Sequence, residues 1–138
     1  MPRRTPSEPS LPESELDVLR ILWDRGQGTV REVLQVAKEA GLPWSYATVA
    51  TLLDRLEAKG MVASDRSELA FLYRPTIDAQ EVRRKRVNHL VEKLYEGEPG
   101  LLVMHLLKTH SLDPEQAKQV RSLLDGLAAE TKTSRPPR

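Results

Sequence analysis

The sequence contains no cysteine in its 138 residues. This absence excludes a disulfide framework, a thiolate metal site and a thiol nucleophile. No apolar run approaches the roughly 20 residues that a membrane-spanning helix needs, and the N-terminal residues lack the apolar centre of a secretory signal. These absences favour a cytoplasmic protein that does not insert into membranes.

The sequence also lacks a strong excess of charge, with 21 Lys and Arg against 20 Asp and Glu. Residues 1–75 hold 10 basic and 11 acidic side chains, so neither half of the chain is markedly basic. A protein that binds nucleic acid through its bulk charge would be distinctly basic. Any nucleic-acid binding must therefore depend on the local arrangement of side chains.

Two helices are predicted before residue 44. The first covers residues 12–25, and Ser10 and Glu13 have the spacing of a capping box, in which side chains satisfy the free backbone amides of the first turn. The second begins after Thr29, which with Glu32 repeats that spacing. Both helices carry apolar residues at helical intervals, which predicts that they pack on a common core.

The third predicted helix, residues 45–59, has an unusually uncharged outward face. Ser45 can cap its first turn. At 100° per residue, the core-facing positions are Val49, Leu52, Leu53 and Leu56, and the outward positions are Ala47, Ala50, Thr51, Asp54 and Ala58. Threonine is a poor helix former, so helix stability alone does not explain this face.

Two short β-prone segments follow the third helix. They read MVAS at 61–64 and LAFLYR at 69–74, and they flank a polar stretch at 65–68. This pattern predicts two strands joined by a tight turn. Leu69, Phe71 and Tyr73 are expected on one face of the second strand.

Three further helices are predicted in residues 77–130. Asp78 and Glu81 open a long helix, which GEPG at 97–100 ends. The segment LLVMHLL at 101–107 is apolar nearly all round, which predicts burial on most sides. Asp113, followed by a proline, starts the last helix.

The order of elements predicts a mostly α fold of the α+β winged-helix kind. Three helices and a hairpin form a winged helix-turn-helix, whose third helix enters the major groove of DNA. We expect a flexible tail at 1–10, a DNA-binding domain at 11–76, a three-helix dimerisation region at 77–130 and a second tail at 131–138.

A winged helix explains the uncharged face of the third helix. Small side chains let the backbone approach base edges, and threonine adds a hydroxyl and a methyl that can contact bases. On the helix alone, an equally good explanation is that the Ala/Thr face packs against another part of the protein.

Three segments carry a resemblance to a known family. They are LPESELDVLRILWDRGQGTVREV from residue 11, WSYATVATLLDRLEAKGMV from residue 44 and FLYRP from residue 71. In this order they resemble the BlaI/MecI family of bacterial winged-helix repressors, whose relatives include the copper-responsive CopY proteins. The resemblance extends over nearly everything but the tails.

The resemblance implies a homodimer that represses transcription, with each subunit placing its third helix in one half of a dyad-symmetric operator. By position it implies DNA contacts from Ser45, Tyr46, Ala47, Thr48, Ala50 and Thr51, and phosphate contacts from Arg55, Lys59 and Arg66. The chain departs from well-known members, which carry more cationic residues at the positions of Ala47 and Ala50. The resemblance implies neither a cofactor nor enzymatic activity.

The second half is expected to form the dimer interface, because three such helices leave the apolar segment 101–107 exposed unless a second copy covers it. The expected interface residues are Val87, Leu90, Val91, Leu94, Tyr95, Leu101, Leu102, Met104, His105, Leu106, Val120 and Leu124. Two linked DNA-binding heads raise each other's effective concentration, so a signal that separates or cuts the dimer releases DNA.

In the penicillinase branch of the family, that signal is proteolysis downstream of a membrane β-lactam sensor. The corresponding bond here lies near His105 and Leu106, which makes a membrane sensor or protease a candidate partner. The segment lacks the Asn-Phe pair that those members use, so β-lactam induction is not carried over. Sensing of copper through C-terminal cysteines is excluded.

Other polar groups point less clearly to a function. The cluster Arg83–Arg86 fans around a helix, so a solvated face paired with Glu81 and nearby acids is favoured over phosphate contact. The histidines 89, 105 and 110 lack the spacing of zinc ligands, and no catalytic arrangement is present. The alternative to a repressor is a winged-helix protein-interaction module, which the near-neutral charge favours.

Overall fold

The computed structural model describes the backbone of residues 10–134 and the side chains of residues 10–130. Its elements are α1 (Glu13–Arg25), α2 (Val30–Glu39), α3 (Tyr46–Ala58), β1 (Val62–Asp65), β2 (Leu72–Pro75), α4 (Ala79–Leu94), α5 (Pro99–Thr109) and α6 (Pro114–Ser134). This order confirms the predicted fold class. Of the two expected tails, residues 1–9 and 135–138 lie outside the described residues, while α6 extends into the second tail.

The chain forms two compact units that divide between Arg86 and Val87, inside α4. The sequence placed the boundary before this helix, between residues 76 and 77. The unit boundary lies later because Val82, in the first turns of α4, belongs to the hydrophobic core of the first unit.

The core of the first unit lies where α1, α2 and α3 pack together. Its fully buried side chains are Val18, Leu19, Leu22, Val33, Ala37, Val49, Leu53 and Leu56. All four residues of the predicted core-facing stripe of α3 are buried, with Leu52 only 4% exposed. Hydrophobic periodicity thus predicted the orientation of α3 correctly.

Four of the predicted helix caps are present, at the beginnings of α2, α3, α4 and α6. The Thr29 amide donates to Glu32 Oε1 at 2.9 Å, and the Glu32 amide donates to Thr29 Oγ1 at 3.2 Å, which completes the capping box. The hydrogen bond from the Thr29 amide lowers the pKa of Glu32, and the Arg25 charge adds to this effect. At α3, Ser45 Oγ accepts from the Thr48 amide at 3.2 Å.

The capping box predicted at the start of α1 is wrong. The N-cap is Pro12, and no side chain caps the helix. The Glu13 carboxylate instead accepts from Arg86 Nη1 at 3.1 Å. Because α1 begins at Glu13, this residue occupies the first helical position and not the third, which a capping box requires.

The wing is an antiparallel pair in which Val62 lies opposite Pro75 and Asp65 opposite Leu72. Residues 66–71 connect the strands, so the connection is longer than the predicted tight turn. Leu69 and Phe71 lie in this loop and are exposed, whereas Tyr73 is buried. The prediction that the three share one strand face is wrong, because side chains alternate regularly only within a strand.

A glycine in the loop between α1 and α2 attaches the wing to the helices. Gly28 N donates to Tyr73 O at 2.9 Å, and Tyr73 N donates to Gly28 O at 2.8 Å. A Cβ at residue 28 would lie 3.2 Å from Arg25 Nε, so the position favours glycine. This bridge fixes the inner edge of the wing beside the beginning of α2.

The second unit has little apolar burial of its own. No residue of α5 is buried, and α6 has no buried residue among those whose side chains are described. The prediction that residues 101–107 are buried on most sides is therefore wrong for the single chain. In residues 10–134, no helix combines the length and apolar character needed to cross a bilayer.

Candidate DNA interface

The outward face of α3 is open to solvent. Ala47, Thr48, Thr51 and Arg55 are exposed, and Ala50 is half-buried. This is not the arrangement expected if the Ala/Thr face packed inside its own chain. The helix thus buries its leucine stripe and presents its small and hydroxyl side chains outward.

The beginning of α3 presents two neighbouring hydroxyl groups. Ser45 Oγ lies 3.1 Å from Thr48 Oγ1, and either oxygen can be the donor. Thr51 lies one turn further along the same exposed surface. Hydroxyls of this kind can donate to or accept from phosphates and base edges.

Arg55 is the cation of α3 that remains able to bind an external anion. It is exposed, and it forms no ion pair or hydrogen bond with the residues whose side chains are described. Its guanidinium therefore keeps all of its N–H donors for an external anion.

Lys59, which was expected to contact phosphate, has partners within its own chain. Its ammonium forms an ion pair with Glu15 of α1 and donates to the Ser10 carbonyl at 2.7 Å. Glu15 is only 1% exposed, so Lys59 is the counter-ion of a buried carboxylate. We therefore omit Lys59 from the proposed DNA-contact set.

Replacing Lys59 by Met is expected to lower the free energy of unfolding by about 3 kcal/mol, because an uncompensated carboxylate stays buried. Urea denaturation at neutral pH measures this change. The double replacement Lys59→Met with Glu15→Leu is expected to recover most of the loss, since it removes both charges. Unchanged stability of Lys59→Met would show that Lys59 is free to contact phosphate.

Arg66 also has partners within its own chain. Its Nη2 lies 2.9 Å from Glu57 Oε1, its Nε donates to Ser64 Oγ at 3.0 Å, and its Cζ stands 4.6 Å from the centre of the Phe71 ring. The Ser64 hydrogen bond, followed by the Arg66 charge, lowers the pKa of Glu57, which therefore stays ionised. The charge of Arg66 is partly neutralised, although half of its side chain is exposed.

A crevice of about 400 Å³ opens between α3, the beginning of α2 and the wing loop. Its lining residues are Thr29, Val30, Arg31, Tyr46, Ala50, Asp54, Leu69, Ala70, Phe71 and Tyr73. Burial raises the pKa of Tyr73, and the charges of Asp54 and Glu57 act in the same direction. Tyr73 is therefore neutral at physiological pH.

Arg31 is a cation of this surface that the sequence pattern did not single out. Its Cζ stands 5.8 Å from the centre of the Tyr46 ring, which joins α2 to the beginning of α3. In the sequence, the one feature that suggested a role for Arg31 was its position in the first turn of α2, the helix that precedes α3.

The basic cluster in α4 behaves largely as predicted. Arg84 Nη2 lies 2.5 Å from Glu81 Oε1, which confirms the expected pairing with Glu81. Arg86 binds Glu13 and the Leu11 carbonyl. These contacts give Arg84 and Arg86 partners within their own chain. Among the described residues, no group of three His, Asp or Glu side chains could hold a metal ion.

The expected dimer residues differ in their accessibility. Leu101, Met104 and Leu106 are 39%, 50% and 43% exposed, as an uncovered interface requires. The other expected residues that are exposed or half-buried are Val87, Leu90, Leu94, Tyr95, Leu102, His105, Val120 and Leu124. Val91 is 7% exposed and is therefore already covered within its own chain.

Among the described residues of the second unit, five large exposed apolar side chains were missing from the expected interface: Val103, Leu107, Leu112, Leu123 and Leu127. They extend the uncovered apolar surface around α5 and along α6. The sequence could have indicated Val103 and Leu107, which lie in the apolar segment 101–107. The helical periodicity of α6 could have indicated Leu123 and Leu127.

Comparison with known proteins places these features in a family context. A family model described as penicillinase repressor matches residues 11–126. The chain is 24% identical over 117 residues to the penicillinase repressor of Bacillus licheniformis, covering 85% of this chain and 91% of that protein. It is 24% identical over 115 residues to the methicillin resistance regulatory protein MecI of Staphylococcus aureus strain N315, covering 81% and 90%. The solution structure of the DNA binding domain of the repressor BlaI matches 54% of this chain and 90% of that domain, at 28% identity and a TM-score of 0.48.

Proposed function

The chain belongs to the penicillinase repressor family of DNA-binding transcriptional repressors, and we propose that it acts as a homodimer on a dyad-symmetric operator. Each subunit places α3 in the major groove of one half-site. Base contacts come from Ser45, Thr48 and Thr51, and Arg55 contacts phosphate. Ala47 and Ala50 let the helix backbone approach the bases.

The observation that carries this proposal is the division of α3 into two faces. Val49, Leu53 and Leu56 are fully buried, so the helix has a fixed orientation. On the other face, Ala47, Thr48 and Thr51 are exposed. The front of this face, from Ser45 to Thr51, has no charged side chain, and such a surface is suited to base edges, which offer methyl groups and hydrogen-bonding atoms.

Uncovered apolar residues of α5 and α6 support the proposed dimer. Neither helix packs extensively on another described element, and α5 buries none of its residues. Large exposed apolar patches mark interfaces, and a two-fold pairing of identical surfaces supplies the symmetry that a palindromic operator needs. The partner with a matching surface is a second copy of this chain.

Release from DNA is proposed to follow separation or cleavage of the dimer. A single winged helix makes few phosphate contacts, so it binds weakly at cellular salt. His105 and Leu106 are exposed within α5, and a protease that cuts there needs local unfolding of the helix, which its sparse packing favours. A membrane sensor or protease is the proposed source of the signal.

A gel-shift assay with the DNA upstream of the protein's own gene tests the proposal. We expect retention of this DNA but not of a shuffled duplex, with an apparent affinity that falls steeply as salt rises. A log-log slope of several units indicates several neutralised phosphates. Binding that ignores both sequence and salt would instead support a protein-interaction module.

A further inference from the structure

The front of α3 carries no positive charge. From Ser45 to Asp54 the sequence has neither Lys nor Arg, and the first cation of the helix is Arg55. A helix in the major groove runs between two phosphate-lined walls, and binding free energy depends on the number of phosphates that the protein neutralises. A cation from another element would neutralise a phosphate that α3 itself leaves unneutralised beside its front.

Arg31 in the first turn of α2 has the required properties. It is exposed, and it forms no ion pair or hydrogen bond with the residues whose side chains are described. Its guanidinium lies over the ring of Tyr46, the first residue of α3, at 5.8 Å from the ring centre. This stacking orients the guanidinium toward the front of α3 and leaves its five N–H donors unpaired.

We propose that Arg31 binds a phosphate of the operator strand that passes the front of α3, and that Tyr46 is its positioning residue. This inference rests on the proposed function. The helix that precedes a recognition helix crosses the DNA backbone, and α2 has that place here. A planar guanidinium suits this role because it can donate two parallel hydrogen bonds to one phosphate.

The crevice beside Arg31 gives the phosphate room. Arg31, Tyr46 and Ala50 line one part of it, and the small side chain of Ala50 leaves the approach open. Asp54 lines the crevice too, and its carboxylate repels a phosphate. Asp54 comes eight residues after Tyr46, which is about 12 Å along a helix. The proposed phosphate therefore lies at the Arg31 end of the crevice, away from this carboxylate.

The test is the salt dependence of binding by Arg31→Gln, a change that removes the charge and keeps a polar side chain. The probes are the upstream duplex from the gel-shift assay and a shuffled duplex of the same length. We expect the log-log slope of the dimer on the upstream duplex to fall by about 1.8, since each of two half-sites loses one phosphate worth about 0.9. At 0.1 M salt, each half-site then binds about eightfold more weakly.

A matched control is Arg20→Gln, which makes the same charge change on α1. Arg20 is exposed and does not line the crevice. We expect its slope and affinity to equal those of the unmodified protein. Equal thermal unfolding of both variants excludes a folding defect, because both positions are exposed.

The positioning role of Tyr46 has a separate readout. Tyr46→Leu removes the ring face. We expect it to lower the log-log slope, because the Arg31 guanidinium is then no longer held toward the phosphate. In a chain that already carries Arg31→Gln, Tyr46→Leu is expected to leave the slope unchanged, since no guanidinium is left to orient. A further decrease in that background would overturn the positioning role.

The outcomes separate this inference from the proposed function. If the unmodified protein discriminates the upstream duplex and Arg31→Gln leaves the slope unchanged, the phosphate contact is wrong while the repressor stands. If Arg31→Gln weakens binding to the upstream duplex alone, Arg31 reads a base, which also overturns the inference. If the unmodified protein shows no discrimination, the proposed function itself fails.

Discussion

Replacing Thr48 and Thr51 by Glu is expected to abolish operator binding and to leave the dimer intact. Both side chains are exposed on the outward face of α3, where the proposed contacts with bases occur. Glutamate removes the methyl and the hydroxyl and places a negative charge between the phosphate walls. Each lost base contact costs about 1–3 kcal/mol, and a dimer loses four. We therefore expect affinity to fall more than about 1,000-fold.

The double variant is expected to fold at least as well as the parent chain. Glutamate has a higher helix propensity than threonine. Ser45 already accepts from the amide of residue 48, so Glu at 48 completes a capping box with Ser45. Circular dichroism and thermal unfolding check this point, and fluorescence anisotropy with labelled operator DNA measures the affinity.

A charge-matched control separates local from general repulsion. Gln80→Glu with Ser122→Glu adds the same two negative charges per subunit at exposed positions of α4 and α6, and Ser122 lies on the side of α6 opposite its apolar stripe. We expect it to bind operator DNA nearly as well as the parent. If the α3 variant bound as tightly as this control, α3 would not be the recognition surface.

Local patterns predicted much of the first unit. The leucine stripe of α3 has a helical period, and a period in apolar residues directly reports which face is buried. The capping box of Thr29 and Glu32 is a contact between neighbours in sequence, and the structure contains it. These features need no knowledge of distant parts of the chain.

Contacts between distant residues could not be read from local patterns. The family resemblance implied phosphate contacts from both Lys59 and Arg55. Only the fold shows that Glu15, 44 residues earlier, takes the ammonium of Lys59. Arg86 likewise donates to the Glu13 carboxylate from 73 residues away.

The place of Arg31 could not be read from the sequence either. The helical pattern of residues 30–39 marks Arg31 as exposed, which is the usual state of an arginine. Its relation to Tyr46 depends on the angle at which α2 and α3 meet. The turn between the two helices, and not any local motif, brings the guanidinium over the ring.

Replacing Leu106 by Glu is expected to convert the dimer into monomers. Leu106 is 43% exposed in α5, among neighbouring apolar side chains that are equally uncovered. Burying a leucine contributes about 1.5–3 kcal/mol, and an unpaired carboxylate in an interface costs several kcal/mol more. Because a two-fold interface contains the residue twice, the total exceeds about 6 kcal/mol, a factor above 10,000 in the dimer dissociation constant. Sedimentation velocity measures the change.

The same variant is expected to weaken operator binding without altering α3. A dimer holds its second head near the DNA at an effective concentration in the millimolar range, and a monomer loses this advantage. Monomers therefore bind single half-sites, and the affinity for the full operator falls. Lys108→Glu changes an exposed charged residue of the same helix and is expected to preserve the dimer. A Leu106→Glu protein that sedimented as a dimer would place the interface away from α5 and leave the apolar surface of that helix to another partner.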